Sequence, residues 1–192
     1  MEQDKKADLR VQKTVEAIRQ ALREMILEMD PSKITVKELT ERAHIHRKTF
    51  YLHYTSIEAL FEDLLKEISE EYYKEIDKLP ADAPFTDVNR VFFTFMARQE
   101  PYVEKIVCSD AYRSFSDRLF LATRLHNRSR YNPYASYSPV QQNIINTFLC
   151  VGSVNLYRQW IADGKALPLE DLIDLSGQLF MYGISKVRND GK

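Results

Sequence analysis

Six apolar residues, Val11, Val15, Ile18, Leu22, Ile26 and Met29, recur at steps of four and three. That spacing lays one apolar stripe along an α-helix and is incompatible with a strand, whose faces alternate at every second residue. Asp30-Pro31 follows and stops the run. The same step returns along most of the chain, and 5 Gly and 7 Pro in 192 residues leave few places to turn a β-fold. The expected class is all-α, with about nine helices.

The second expected helix opens at Thr35, where "TVKELTERA" sets Glu38 three residues after a capping hydroxyl, a capping box, and turns Val36, Leu39 and Ala43 inward. A third, short helix runs from His46 to about His53. Ser56 caps a long amphipathic run with Ile57, Leu60, Phe61, Leu64, Leu65, Ile68 and Tyr72 as its stripe, and Pro80 ends it. Segment 81–86, with Pro80 before it and Pro84 within it, reads as the boundary between a head and a body. Further helices are expected over 85–98, 101–108 and 110–127, followed by the polar loop "NRSRYNPYASYS". The last two begin with prolines, Pro139 behind Ser138 and Pro168; one stops at Gly164 and the other fades after Val187.

A helix, a four-residue turn and a short helix make a helix-turn-helix at residues 35–54, in which the first helix braces the second for entry into a DNA major groove. Its second half holds "HIHRKTFYLHY", residues 44–54, which has no acidic side chain. Ile45 and Phe50 are the expected core anchors, leaving Arg47, Lys48 and Tyr51 together on the opposite face. The formal net charge is only -1, and residues 56–79 carry Glu58, Glu62, Asp63, Glu67, Glu70, Glu71, Glu75 and Asp77 against three lysines. The basic surface is therefore local.

The run "ITVKELTERAHIHRKTFYLHYTSIEALFEDLL", residues 34–65, resembles the DNA-binding head of the TetR family of transcriptional regulators. Thr35 and Val36 resemble the entry to that family's helix two, and Ala43 and Ile45 its turn. Thr49, Phe50, Tyr51, His53 and Tyr54 resemble its recognition helix and exit, Leu60 and Phe61 its helix four. The family often has Gly at the position of His44, Ser at that of His46 and Lys at that of Ile57. The resemblance implies a helix-turn-helix domain over 1–56, a linking helix over 57–80, and a helical effector-binding and dimerisation domain over 81–192. Arg47 and Lys48 are the candidates for base-edge or adjacent phosphate contacts, since Arg reads guanine bidentately. Thr49, Tyr51 and His53 are candidates for phosphate contacts, as is Thr35 at a helix N-terminus. His46 either caps helix three or touches DNA.

In the body, Ile144, Ile145, Phe148, Leu149, Val151, Leu156, Trp160 and Ile161 are more apolar surface than one face of a monomeric helix needs. The final helix adds Leu172, Leu175, Leu179 and Phe180, and Cys150, Gly152, Ser153, Ser176, Gly177 and Gly183 permit close approach. In the resembled family these two helices pair with their copies, which implies a homodimer on a palindromic double-stranded DNA operator. The resemblance also implies an inducer pocket for a small-molecule effector of unknown identity. Arg98, Arg124, His126, Asn146 and Arg158 are polar groups that could orient such a ligand, but sequence alone does not bring them together.

Other chemistries fit poorly. His44, His46 and His53 lack the i, i+4 spacing that converges on a metal, and Cys108 and Cys150 lack ligand spacing, so no metal and no cofactor are expected and both cysteines read as reduced thiols. No nucleophile–base arrangement or phosphate loop supports a helical-bundle enzyme. A regulator of the same fold controlled by a partner protein is the alternative. Residues 131–157 carry no charge, but Pro133, Pro139, Gln141, Gln142 and Asn143 exclude a membrane span. "MEQDKKADLR" lacks an export signal, so the cytoplasm is the expected compartment. Together these readings describe a ligand-responsive dimeric repressor.

Overall fold

The computed structural model describes residues 2–80, 82–130 and 133–183, with side chains from Leu9 onward. Among these residues there are nine α-helices, two 3-10 turns and no strand. The helices are α1 Glu2–Glu28, α2 Val36–Arg42, α3 Arg47–Tyr51, α4 Ile57–Ile76, α5 Phe85–Ala97, α6 Pro101–Cys108, α7 Arg113–Arg130, α8 Pro139–Ala162 and α9 Leu169–Tyr182. The all-α expectation and its helix number hold. Helix α3 is shorter than its expected span because Leu52 N–H bonds to Thr49 O and His53 N–H to Phe50 O, the tighter i→i−3 pattern that closes a helix. Helix α7 continues through Arg130, into the segment expected as a polar loop. Residue Val187, the expected end of the last helix, and Tyr131 lie outside the described residues.

Two compact units interleave along the chain: Met1–Glu67 with Glu100–Ser116, and Ile68–Gln99 with Asp117–Lys192. Segment 81–86 thus falls inside the second unit, and α6 helps to build the first.

In the first unit, Ile18, Leu22, Met25 and Ile26 of α1 are fully buried, together with Leu39, Phe50, Leu60 and Leu64. The expected stripe is right at its centre, whereas Val11 at its start is exposed. Phe61 packs on Phe115 with ring centroids 4.2 Å apart. The buried Tyr112 hydroxyl donates to Met29 O at 2.7 Å, satisfying a carbonyl that the end of α1 leaves open.

In the second unit, Asn89 of α5 donates to Ser176 Oγ (2.8 Å) and Ile173 O (3.3 Å) of α9, and Tyr157 of α8 donates to Met96 O (3.3 Å). Ser138 and Gln141 form a full capping box at the start of α8. Gly152 lies so close to Phe180 that a Cβ there would sit 2.7 Å from the ring, so this small residue serves the contact of α8 with α9 inside the unit. Along α8, Val140, Ile144, Phe148 and Val151 form an exposed apolar stripe, at 68%, 65%, 59% and 49%. Leu175, Met181 and Tyr182 of α9 are exposed as well. No helix among the described residues is long and apolar enough to cross a membrane.

Candidate nucleic-acid interface and a cavity in the second unit

Helix α2 starts where Thr35 Oγ1 accepts from Glu38 N–H (3.2 Å) and donates to Glu38 Oε2 (2.9 Å). The side-chain half of the expected capping box therefore closes on the hydroxyl of Thr35. The following turn places His44 at φ 53°, the left-handed region, where the resembled family often has Gly. Ile45 N–H then returns to Thr40 O at 3.0 Å. His46 occupies the N-cap of α3 without a side-chain capping bond; its carbonyl accepts from Thr49 (2.8 Å) and Phe50 (3.3 Å).

Within α3, Phe50 is the fully buried anchor and Tyr51 stands edge-on to it, ring centroids 5.4 Å apart. Ile45, the other expected anchor, is half-buried. His46, Arg47, Lys48 and Tyr51 are exposed, Thr49 and His53 half-buried, and Thr35 exposed at the head of α2. One face thus gathers the cations and the aromatic ring, with no carboxylate on the helix. Leu52, 81% exposed beside Tyr51, was not picked out from the sequence, because an apolar residue at the end of a helix reads as core.

The bracing of α3 is the part that sequence reasoning missed. Tyr54, just past α3, donates to Asp63 Oδ2 at 2.7 Å, and Arg19 of α1 donates to the same oxygen from Nε (3.0 Å) and Nη2 (2.7 Å). Arg23 reaches Glu67 Oε1 at 3.1 Å, and Arg42 makes a two-pronged bond to Glu28, 2.6 Å at each prong, tying α2 to α1. Burial pushes the Asp63 carboxyl up, but the hydrogen bonds from Tyr54 and Arg19 outweigh it and leave the group below its ordinary value. Burial, seconded by Asp63, pushes the Tyr54 phenol up to about 12. These residues lie up to 44 apart in sequence, so no local pattern announces them.

The second unit carries a half-open cavity of about 310 Å³, walled by the end of α4 and by α5, α7 and α8. Asn89 Oδ1 and Asn127 Oδ1, both on residues lining it, are buried without a hydrogen-bond partner among the described residues. An orphaned acceptor costs about 1–3 kcal/mol, so both side chains are held beside this space against a penalty. Of the five polar residues named from the sequence, Arg124 and Asn146 line it. Arg98 pairs with Glu75 (3.0 Å), and His126 pairs with Asp77 (2.9 Å) while stacking on Tyr73.

Residues 18–64 match the family model of bacterial regulatory proteins of the tetR family. Over 66 residues, 34% of this chain, the sequence is 35% identical to YxbF of Bacillus subtilis (strain 168), an uncharacterised HTH-type transcriptional regulator; that match spans 17% of the relative's own length. Among solved structures, a TetR transcriptional regulator from Streptococcus agalactiae 2603V superimposes with a TM-score of 0.68 at 22% identity, covering 91% of this chain and 97% of that one. NalD of Pseudomonas aeruginosa, the secondary repressor of the MexAB-OprM multidrug efflux pump, gives 0.67 at 15% identity, covering 90% and 97%. The transcriptional regulator FadR of Bacillus subtilis, in complex with stearoyl-CoA, gives 0.62 at 15%, covering 88% and 98%. These likenesses concern the fold. Over residues 18–64, the stretch that holds the helix-turn-helix, the chain is thus similar to the tetR family of bacterial regulatory proteins.

Proposed function

We propose that the protein is a cytoplasmic homodimeric repressor that binds a palindromic DNA operator and is released by a small molecule held in the cavity of its second unit. The observation that carries the reading is the exposed, carboxylate-free face of α3 on a helix anchored by Phe50. In it, Arg47 and Lys48 read base edges, since both reach groove acceptors from an exposed helix face. His46, Thr49, Tyr51 and His53 hold phosphates and fix the register, with Thr35 at the margin of the footprint. Because the Thr35 hydroxyl is occupied by Glu38, its contribution is the backbone N–H.

Pairing of α8 and α9 with their copies covers the exposed Val140, Ile144, Phe148 and Val151 stripe. It sets two α3 helices one DNA turn apart, ~34–36 Å. In this reading residues 1–56 read DNA, the helix over 57–80 links and also walls the cavity, and most of 81–192 supplies pairing and the rest of the effector site, with α6 built into the first unit. Release follows if the ligand favours a dimer whose heads are misplaced; a coupling of about 1–3 kcal/mol changes operator affinity roughly 5- to 150-fold.

Selection of bound fragments from random double-stranded DNA, at two salt concentrations, tests the reading. A palindromic site with a steep salt slope is expected. Sequence-blind binding would overturn it in favour of a regulator that works through a partner protein.

A further inference from the structure

We propose that the cavity of the second unit takes a compact apolar monocarboxylic acid whose carboxylate sits between Arg124 and Arg128. The proposal deepens the ligand-responsive reading above and rests on it.

Size comes first. About 310 Å³ is roughly ten times the ~30 Å³ that a water molecule occupies in the liquid, room for a molecule on the order of ten to fifteen non-hydrogen atoms. Tyr72, Phe85, Val88, Phe92, Phe120 and Leu149 supply the apolar wall that would hold its body.

Charge selects the head group. Among the described residues, three arginines line the cavity and no aspartate or glutamate does. Arg130 is already neutralised, with Nε 3.0 Å from Asp77 Oδ1 and further bonds to the Asp77 and Leu79 carbonyls. Arg124 and Arg128, one turn apart on α7, have only neutral acceptors on α8 among the described residues. Arg124 donates to Thr147 Oγ1 (3.2 Å), and Arg128 donates to Asn143 Oδ1 (2.8 Å) and Gln142 Oε1 (3.4 Å). Two guanidinium groups one helical turn apart, with no carboxylate partner among the described residues, suit the planar, two-oxygen geometry of a carboxylate. A neutral occupant leaves both charges uncompensated, and a cationic one adds repulsion.

The orphaned Asn89 Oδ1 is the independent observation. Asn89 is 1% exposed and its Nδ2 is spent on Ser176 and Ile173, so its oxygen is a buried acceptor without a protein donor among the described residues, on a residue that lines the cavity.

Calorimetric titration of the full chain with octanoate, octanamide and octylamine tests the proposal. Wild type is expected to bind octanoate at least about tenfold more tightly than octanamide, because only the acid forms charge-assisted bonds to both arginines, and octylamine should bind more weakly still. In Arg124→Gln/Arg128→Gln the acid should fall to the level of the amide, while unchanged amide binding reports an intact cavity. Equal binding of acid and amide by wild type, no binding of either, or an acid preference that survives the double substitution would each overturn the carboxylate site. The same titrations with operator fragment present separate the two readings. Arginine-dependent octanoate binding that leaves DNA affinity unchanged keeps the site and removes the ligand-responsive regulator.

Discussion

His44 carries a backbone conformation that favours glycine, at φ 53° in the turn between α2 and α3. A left-handed residue with a Cβ costs roughly 1–2 kcal/mol, while glycine loses roughly 0.5–1 kcal/mol of chain entropy. His44→Gly is therefore expected to raise unfolding free energy by up to about 1 kcal/mol, read from urea denaturation. Asp63 governs the acid side. Its carboxyl is held below its ordinary value in the folded chain, so its stabilisation is complete above the unfolded value, ~4, and disappears as pH falls through the folded one. Acid unfolding of the wild type should begin in that window, and Asp63→Asn should flatten it, at a cost of about 1.5–3 kcal/mol at neutral pH from the weakened bonds to a charged group. Circular dichroism across pH 2–7 checks both. The His44 conformation was foreshadowed by the departure from Gly in a familiar motif, whereas the bonding of Tyr54, Arg19 and Asp63 was not, since charged residues dispersed over two helices look like ordinary solvated positions.

Helix α3 has five residues, too few to be stable alone, so its position depends on Phe50 below and on α2 behind. Truncating Tyr51 or Thr49 to alanine should weaken binding to all DNA sequences alike while leaving the salt slope in place, since neither side chain neutralises a phosphate, as measured by titration at several salt concentrations. Arg47→Ala and Lys48→Ala should in addition relax base preference, by about 1–3 kcal/mol where a contact is bidentate, visible in repeated fragment selection. If these variants bind the selected site as the wild type does, the assignment of this face fails. Helices α2, α4 and α8 were legible because caps and periodic apolar residues are local signals: Thr35, Ser56 and Ser138 each accept a backbone N–H three residues on. The end of α3 at Tyr51 was less legible, because Leu52 and His53 have no helix-breaking chemistry and the turn comes from the fold around them. The cavity was not legible at all, its walls being drawn from residues between Tyr72 and Met181.

For the whole molecule, the exposed apolar stripe of α8 is the surface on which the proposed dimer depends. Ile144→Glu or Phe148→Glu puts a charge into the surface proposed for pairing, and sedimentation should then show a monomer that retains its helical content and has lost most operator affinity. A dimer that persists in both variants would place the interface elsewhere. The absence of charge over residues 131–157 has a practical consequence for the two associations proposed here. Contact with phosphate weakens steeply as ions are added, while apolar burial is left untouched by them or strengthened by sulfate. Ionic strength would thus act as a selective solvent for the proposed complex: a concentrated sulfate wash is expected to strip nucleic acid from it and leave the proposed dimer paired.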